Sequence, residues 1–500
     1  MTNNSSSTKH PFGLYLLFVT EMWERFSYYG MRAIFMLFMV KVLLLNDKEA
    51  SEIYGSYTGL VYLTPLLGGY LCDRYLGNRR SIVIGGLLMA IGQFFMFMSA
   101  SVGAEGGVPL MWTGLTALIV GNGFFKPNIS TMVGQLYPAN DRRIDSAFTI
   151  FYMGINLGAF FSPLICSSFS DYKWGFLAAG IGMLLGLVTF IMLQKKYLIS
   201  EEGKEIGKVV KPLDLKAILM IVGSIGIIFF MLNFKQWFKS DTDIISYFIY
   251  GSMVVMPVLI LTDRSLKPFE TKRIIVIFIL AFFVIFFWGA FEQAGASLTL
   301  FADRQTDRHL FGWEMPAEYF QSVNPLAVIT LASLFTVLWG FLYKRNLEPS
   351  SPTKMAWGLA LVAIGYVIIA IAVKGLGMGE KVSMWWLVAL YVIHTMGELC
   401  LSPIGLSMVS KLAPLRLSSL MMGTWFLANA AANKFAGTLS ALIPPSEPTA
   451  DTVYPSFIGY QITNLYEFFT LFIVMTGAAA AILFVLSRTL QKMMATPETN

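Results

Sequence analysis

Ionisable side chains stand in this sequence where lipid would be expected. Arg25, Arg32, Lys126 and Lys434 lie inside apolar stretches, as do Glu21, Glu24, Glu292 and Glu398. A lone charge near mid-membrane costs at least about 2.5–3.5 kcal/mol on insertion scales, so each normally faces a partner or a water-filled cavity. In the first stretch Glu21, Glu24, Arg25, Tyr28, Tyr29 and Arg32 fall within about 140° of one helical face, leaving the other face apolar. Lys126 is followed by Pro127, which frees a backbone carbonyl that interior water or a neighbour must satisfy. The second half carries the opposite sign: Glu292 in Phe287-Trp288-Gly289-Ala290-Phe291-Glu292-Gln293, and Glu398 in His394-Thr395-Met396-Gly397-Glu398-Leu399. Neither has an obvious cation in its own stretch. Such groups offer ion pairing, proton exchange and the binding of a charged solute. Bond-making chemistry has no comparable support: there is no nucleophile with its base and no phosphate-cradling glycine loop. Cys72, Cys166 and Cys400 lack paired or metal-ligand spacing, so reduced structural thiols are expected, with no metal and no cofactor.

The elements that position these charges must cross a bilayer. With 56% hydrophobic and 13% charged residues and a mean hydropathy of +0.64, the chain cannot cover a soluble surface, where about 25% would be charged. The net charge of +6 is scattered through short loops and marks topology; no nucleic-acid partner is expected. Apolar stretches predict helices at about 13–45, 52–76, 80–101, 108–133, 144–167, 174–194, 213–234, 243–262, 273–301, 319–343, 354–375, 384–411, 416–441 and 462–488. Three segments result: 1–195, an N-terminal six-helix bundle; 196–272, a charged linker with two plain apolar helices that carry few candidate functional groups; and 273–500, a C-terminal six-helix bundle. The polar leader from Met1 to His10 precedes a charged segment unlike a cleavable signal, so the first helix is expected to stay. Fourteen is even, so both ends share a side. Alternate loops hold 23 and nine of the 36 Lys and Arg residues, which places both ends in the cytoplasm. The remaining four are Arg25, Arg32, Lys126 and Lys434.

If the six-helix segments are repeats, matching positions hold opposite charges: Arg25 and Arg32 against Glu292 in the first helix of each, Lys126 against Glu398 in the fourth. A repeat-built transporter sets such positions around a midplane cavity, and a zwitterion fits that field. The competing reading makes Arg32 with Glu292, and Lys126 with Glu398, permanent braces between bundles. For Lys434, snorkelling to the interface is expected. For His394, on a mostly apolar helix, packing or hydrogen bonding is expected.

At this point the sequence resembles the proton-dependent oligopeptide transporter family of the major facilitator superfamily, in its bacterial layout. The resemblance rests on Glu21-Met22-Trp23-Glu24-Arg25-Phe26-Ser27-Tyr28-Tyr29-Gly30, which looks like E-x-x-E-R-F-x-Y-Y-G, and on Gly123-Phe124-Phe125-Lys126-Pro127-Asn128. Phe151-Tyr152-Met153-Gly154-Ile155-Asn156-Leu157-Gly158, Phe291-Glu292-Gln293 and Gly397-Glu398-Leu399 continue it in order. It implies an all-α membrane protein with the major facilitator superfamily fold: two six-helix bundles plus two extra helices, fourteen transmembrane helices. It also implies a proton-coupled symporter, not an enzyme, importing di- and tripeptides by alternating access in the bacterial inner membrane. The implied partners are peptides, protons and lipid, and the working unit a monomer.

By motif, Arg25, Tyr29 and Lys126 would hold the peptide carboxylate, with Tyr62 nearby, and Glu398 its amino terminus. Asn156 and Asn324 would bond the peptide backbone, and Trp288 and Trp425 would shape side-chain pockets. Arg32 and Glu292 would form the salt bridge across the outer mouth that protonation breaks, while Glu21, Glu24, Arg25 and Lys126 join the coupling network. Animal members carry a histidine in the second helix; this chain has only His10, His309 and His394, so carboxylates must couple the proton. The alternative is a related transporter of another solute, such as nitrate or a peptide-like drug. The stretch Gly68 to Arg80 resembles the superfamily's short loop signature, explained by close glycine packing and an Asp73/Arg74 charge latch. The stretch Asp303 to Glu318 reads as an ordered outer cap.

Overall fold

The computed structural model describes residues 9–495 apart from 139–140, 201–202, 209–213, 378, 447 and 449–451. Most of the expected leader and the last five residues therefore lie outside the described residues. The long helices are α1 (Phe12–Lys41), α2 (Asp47–Leu71), α3 (Asn78–Val102), α4 (Gly107–Gln135), α5 (Ile144–Cys166), α6 (Tyr172–Tyr197), α7 (Leu215–Phe238) and α8 (Ile244–Leu261). After α9 (Pro268–Phe291) and the short α10 (Ser297–Arg304) come α11 (Val323–Lys344), α12 (Ser351–Val373), α13 (Met384–Leu412), α14 (Ser418–Ser440) and α15 (Leu465–Met494). The protein is an all-α, multi-pass membrane protein, and each expected segment meets one long helix. The difference lies at 273–301, where a 3-10 turn over Glu292–Gly295 separates α9 from α10.

Local sequence starts the helices. Asp171, Asp214, Ser350 and Asn464 each accept a backbone N–H from the first turn of α6, α7, α12 and α15, a cap worth about 1 kcal/mol. Among the described residues eleven spans are apolar and long enough to cross a membrane; α1, α2 and α14 are not among them. In α1 the reason is plain: Glu21, Glu24, Arg25 and Arg32 dilute an otherwise apolar helix. Small residues let helices touch by their backbones, as membrane packing without a hydrophobic drive requires. A Cβ placed on Gly121 of α4 would fall 2.7 Å from the Gly85 carbonyl of α3.

The helices group into two compact units. The first gathers α1 as far as Ile34, α2 from Leu63, and α3 to α7; the second gathers α1 from Phe35, α2 as far as Tyr62, and α8 to α15. The segment 196–272 thus divides: α7 packs on α4 in the first unit, α8 on α14 in the second. In the second unit the stretch from Asp303 is ordered by ion pairs. Lys41 meets Asp303 at 2.6 Å, Arg304 meets Asp47 at 2.5 Å, and Arg308 meets Glu314 at 2.9 Å. Cys72, Cys166 and Cys400 are buried and unbridged.

Candidate functional site

In the first unit, the polar face of α1 builds a buried cluster. Arg25 Nε lies 3.2 Å from Glu21 Oε1 and also donates to Glu24 Oε2. Asn122 of α4 donates to the other Glu24 oxygen at 3.3 Å. All three α1 groups are at most 2% exposed. The i, i+3, i+4 spacing of Glu21, Glu24 and Arg25 stacks them on one helical face, so the cation is preset by its own helix. Arg25 Nη2 and Glu21 Oε2 are buried without a hydrogen bond among the described residues. The guanidinium of Arg25 stands 5.2 Å from the Tyr28 ring centre, and that of Arg32 5.8 Å from Tyr29. Lys126 is half-buried on α4, one residue before Pro127. Asn156 of α5 donates to its own helix, at Tyr152 O, 3.0 Å away.

In the second unit, Glu398 of α13 accepts a hydrogen bond of 2.8 Å from Asn324 Nδ2 of α11, which also reaches Thr395 Oγ1 at 2.9 Å. Glu292 is 5% exposed and opens the 3-10 turn after α9. Around this break buried side chains add donors to backbone carbonyls, where lipid offers none. Tyr366 OH donates to Ala290 O at 2.7 Å, Tyr391 OH to Ala294 O at 3.2 Å, and Gln293 Nε2 to Gly289 O and Ala436 O at 2.9 Å each. Trp288 packs edge-on against Phe287 and Phe291. Trp425 is buried, its ring filling the place of a side chain at Gly405. Tyr62 stands half-buried at the last α2 residue of this unit.

The POT family model matches residues 79–453. A peptide transporter of Yersinia enterocolitica is 36% identical over 86% of this chain and 87% of its own length. The chain belongs to the POT family. Dipeptide and tripeptide permease A of Escherichia coli is 30% identical over 89% of this chain and 86% of its own. A crystal structure of the peptide transporter POT in complex with alafosfalin superposes with a TM-score of 0.83 at 32% identity, covering 98% of this chain and 97% of that one. A POT family transporter in complex with 5-aminolevulinic acid follows at 0.81 and 31%, covering 98% of each. The fold is that of the major facilitator superfamily.

Within this POT fold two expectations fail. Lys434 does not snorkel: it is 2% exposed and its ammonium lies 2.7 Å from Asp243, the N-cap residue of α8. A carboxylate within reach removes the reason to stretch towards the interface. Asp73 and Arg74 form no ion pair among the described residues; Arg74 turns to Tyr70 and Tyr75. Arg79 in this loop donates to Ile206 O at 2.7 Å and Leu198 O at 2.6 Å, with Glu205 at 3.6 Å. It straps the segment after α6 to the start of α3. His394 is buried as a packing residue, 3.2 Å from Val362 O and tilted against Tyr366 with ring centres 4.9 Å apart.

Sequence reasoning gave no role to Asn122, Gln293, Tyr366 or Asp243. Asn122 and Gln293 carry a usable signal, since a polar side chain amid apolar and small residues must find buried partners.

Proposed function

We propose that this chain is a proton-coupled symporter that imports di- and tripeptides by alternating access. The observation that carries the reading is Arg25: its Nε is spent on Glu21 and Glu24, while Nη2 remains buried and unbonded among the described residues. A fixed guanidinium with a spare donor in a low-dielectric setting is suited to a ligand carboxylate. Tyr29, Lys126 and Tyr62 are assigned to the same terminus, and Glu398, oriented by Asn324, to the amino terminus. Asn156 and Asn324 serve the peptide backbone; Trp288 and Trp425 shape side-chain pockets. The Yersinia relative is a peptide transporter and the Escherichia relative a dipeptide and tripeptide permease.

In the proposed cycle Arg32 pairs with Glu292 when the outer mouth closes, and protonation of Glu292 releases the pair. Glu21, Glu24, Arg25 and Lys126 complete the coupling network. Both ends are assigned to the cytoplasmic side of a bacterial inner membrane by the Lys and Arg distribution. One chain carries both charged clusters, so the monomer is the proposed working unit, and its work is transport without covalent chemistry.

The test is uptake of a labelled dipeptide by proteoliposomes under an imposed proton gradient. Accumulation should require the gradient and be competed by di- and tripeptides but not by free amino acids or nitrate. Uptake indifferent to the gradient, or equal competition by nitrate, would overturn the reading.

A further inference from the structure

Lys434 joins three elements of the second unit. From α14 its ammonium reaches Asp243 Oδ2 at the start of α8 and, at 2.8 Å, Ser56 Oγ of α2. The surroundings are tight. A Cβ on Gly437 would fall 2.5 Å from Gly55 Cα, and one on Gly59 3.2 Å from Ile249 of α8 and 3.3 Å from Lys434 Cβ. Ser51 and Ser440 hydroxyls meet at 2.8 Å beside it. Asp243 also caps α8, accepting Ser246 N at 3.1 Å and Ser246 Oγ at 2.9 Å. Burial works against its charge, yet the Lys434 ammonium and the Ser246 donors hold the carboxyl below its ordinary value of 3.8. It therefore stays ionised at neutral pH.

Ser56 and Asp243 are not equivalent partners. Asp243 belongs to a helix packed on α14, so it can travel with Lys434. Ser56 belongs to α2, which runs on from Tyr62 into the first unit, so any movement of that unit pulls at the Ser56 contact. Were Ser56 to leave, the buried ammonium would keep the Asp243 carboxylate as its counter-charge.

We propose that Asp243 is a gating residue, and that the second extra helix is part of the transport machinery: it neutralises Lys434 so that α2 can dock on α14 and undock from it without exposing a lone buried charge. This rests on the alternating-access reading. It assigns a task to a helix that the sequence left plain.

The test is thiol accessibility at Ser51→Cys, a position shut against Ser440 here, probed in proteoliposomes with a membrane-impermeant maleimide; the native cysteines are buried. Asp243→Asn keeps a good cap and removes only the charge. Leaving Lys434 without this carboxylate should favour the opened α2–α14 contact, raising the labelling rate at least about tenfold and lowering dipeptide uptake by a similar factor. Adding Lys434→Met should return labelling to within about twofold of the parent, because no charge is left to neutralise. Unchanged labelling in Asp243→Asn, or no recovery in the double variant, overturns the proposal. Should Asp243→Asn fail to reach the membrane, the double variant decides: normal insertion with closed labelling supports charge neutralisation, and failure of both leaves a purely structural pair and refutes gating. Labelling needs no solute, so a wrong substrate assignment would leave this outcome intact.

Discussion

The two units hold their candidate site charges by different means. In the first, charge holds charge: Glu21 and Glu24 flank Arg25 on one helix, and Asn122 only completes the set. In the second, the two candidate carboxylates lie beside neutral donors, although Lys434 is paired with Asp243 and Glu270 with Arg416. Asn324 orients Glu398, and two tyrosine hydroxyls with Gln293 hold the broken backbone around Glu292. Removing a member of a buried ion cluster strands its partners, at about 3–5 kcal/mol. Neutralising a carboxylate bonded to an amide costs only a charge-assisted hydrogen bond, about 1.5–3 kcal/mol. The proposed cycle assigns a fixed cationic field to the first unit and the changing charge to Glu292 in the second.

The comparison breaks most visibly at Lys126. Lys126→Ala should abolish dipeptide uptake, a loss beyond about a hundredfold, measured as initial rates and as dipeptide binding. Near-normal binding would remove Lys126 from the carboxylate clamp and weaken the idea of a fixed cationic field. Next in size, Glu292→Gln should end gradient-driven accumulation, since the variant imitates the protonated form permanently. Exchange of labelled for unlabelled dipeptide needs only the loaded carrier to reorient and should persist. Accumulation against a gradient by this variant would show that the changing charge lies elsewhere. A smaller effect is expected for Glu398→Gln, whose dipeptide affinity should fall about tenfold to a hundredfold. Equal loss of binding in the two glutamine variants would erase the distinction between coupling and binding carboxylates.

Much of this division was legible from residue type alone. Helix positions followed from apolar length, because a bilayer admits few alternatives, and the polar face of α1 followed from its 3.6-residue period. Three features were not legible. The break at Glu292–Gly295 leaves no proline or charge run in Phe291-Glu292-Gln293-Ala294-Gly295, and it depends on Tyr366 and Tyr391, about 70 to 100 residues away. Asp243, which pairs with Lys434, sits just before α8, at a sequence distance no helical period reports. Arg79 uses backbone carbonyls of the linker, which carry no side-chain signature.

The smallest expected effect sharpens the second half of the comparison. If neutral hydrogen bonds hold the Glu292 turn, Tyr366→Phe removes one of them without changing the ring's shape. Tyr366 is fully buried and stacks on Phe472 at 4.6 Å, so the phenyl ring should stay in place. What is lost is the donor to Ala290 O, a carbonyl just before the break whose replacement by water is hindered by that packing. Ala290 O keeps a backbone N–H at the end of α9, so losing the hydroxyl costs only one hydrogen bond, about 0.5–1.5 kcal/mol; that should lower the thermal unfolding midpoint in detergent slightly while dipeptide binding stays within about threefold, because no charge has moved. Accumulation should fall more than exchange, since loosening the turn disturbs Glu292 before it disturbs Glu398 on α13. An unchanged midpoint together with unchanged accumulation would mean that Tyr366 does not support the turn. A loss of binding as large as that of Glu398→Gln would mean that the two carboxylates are not held independently.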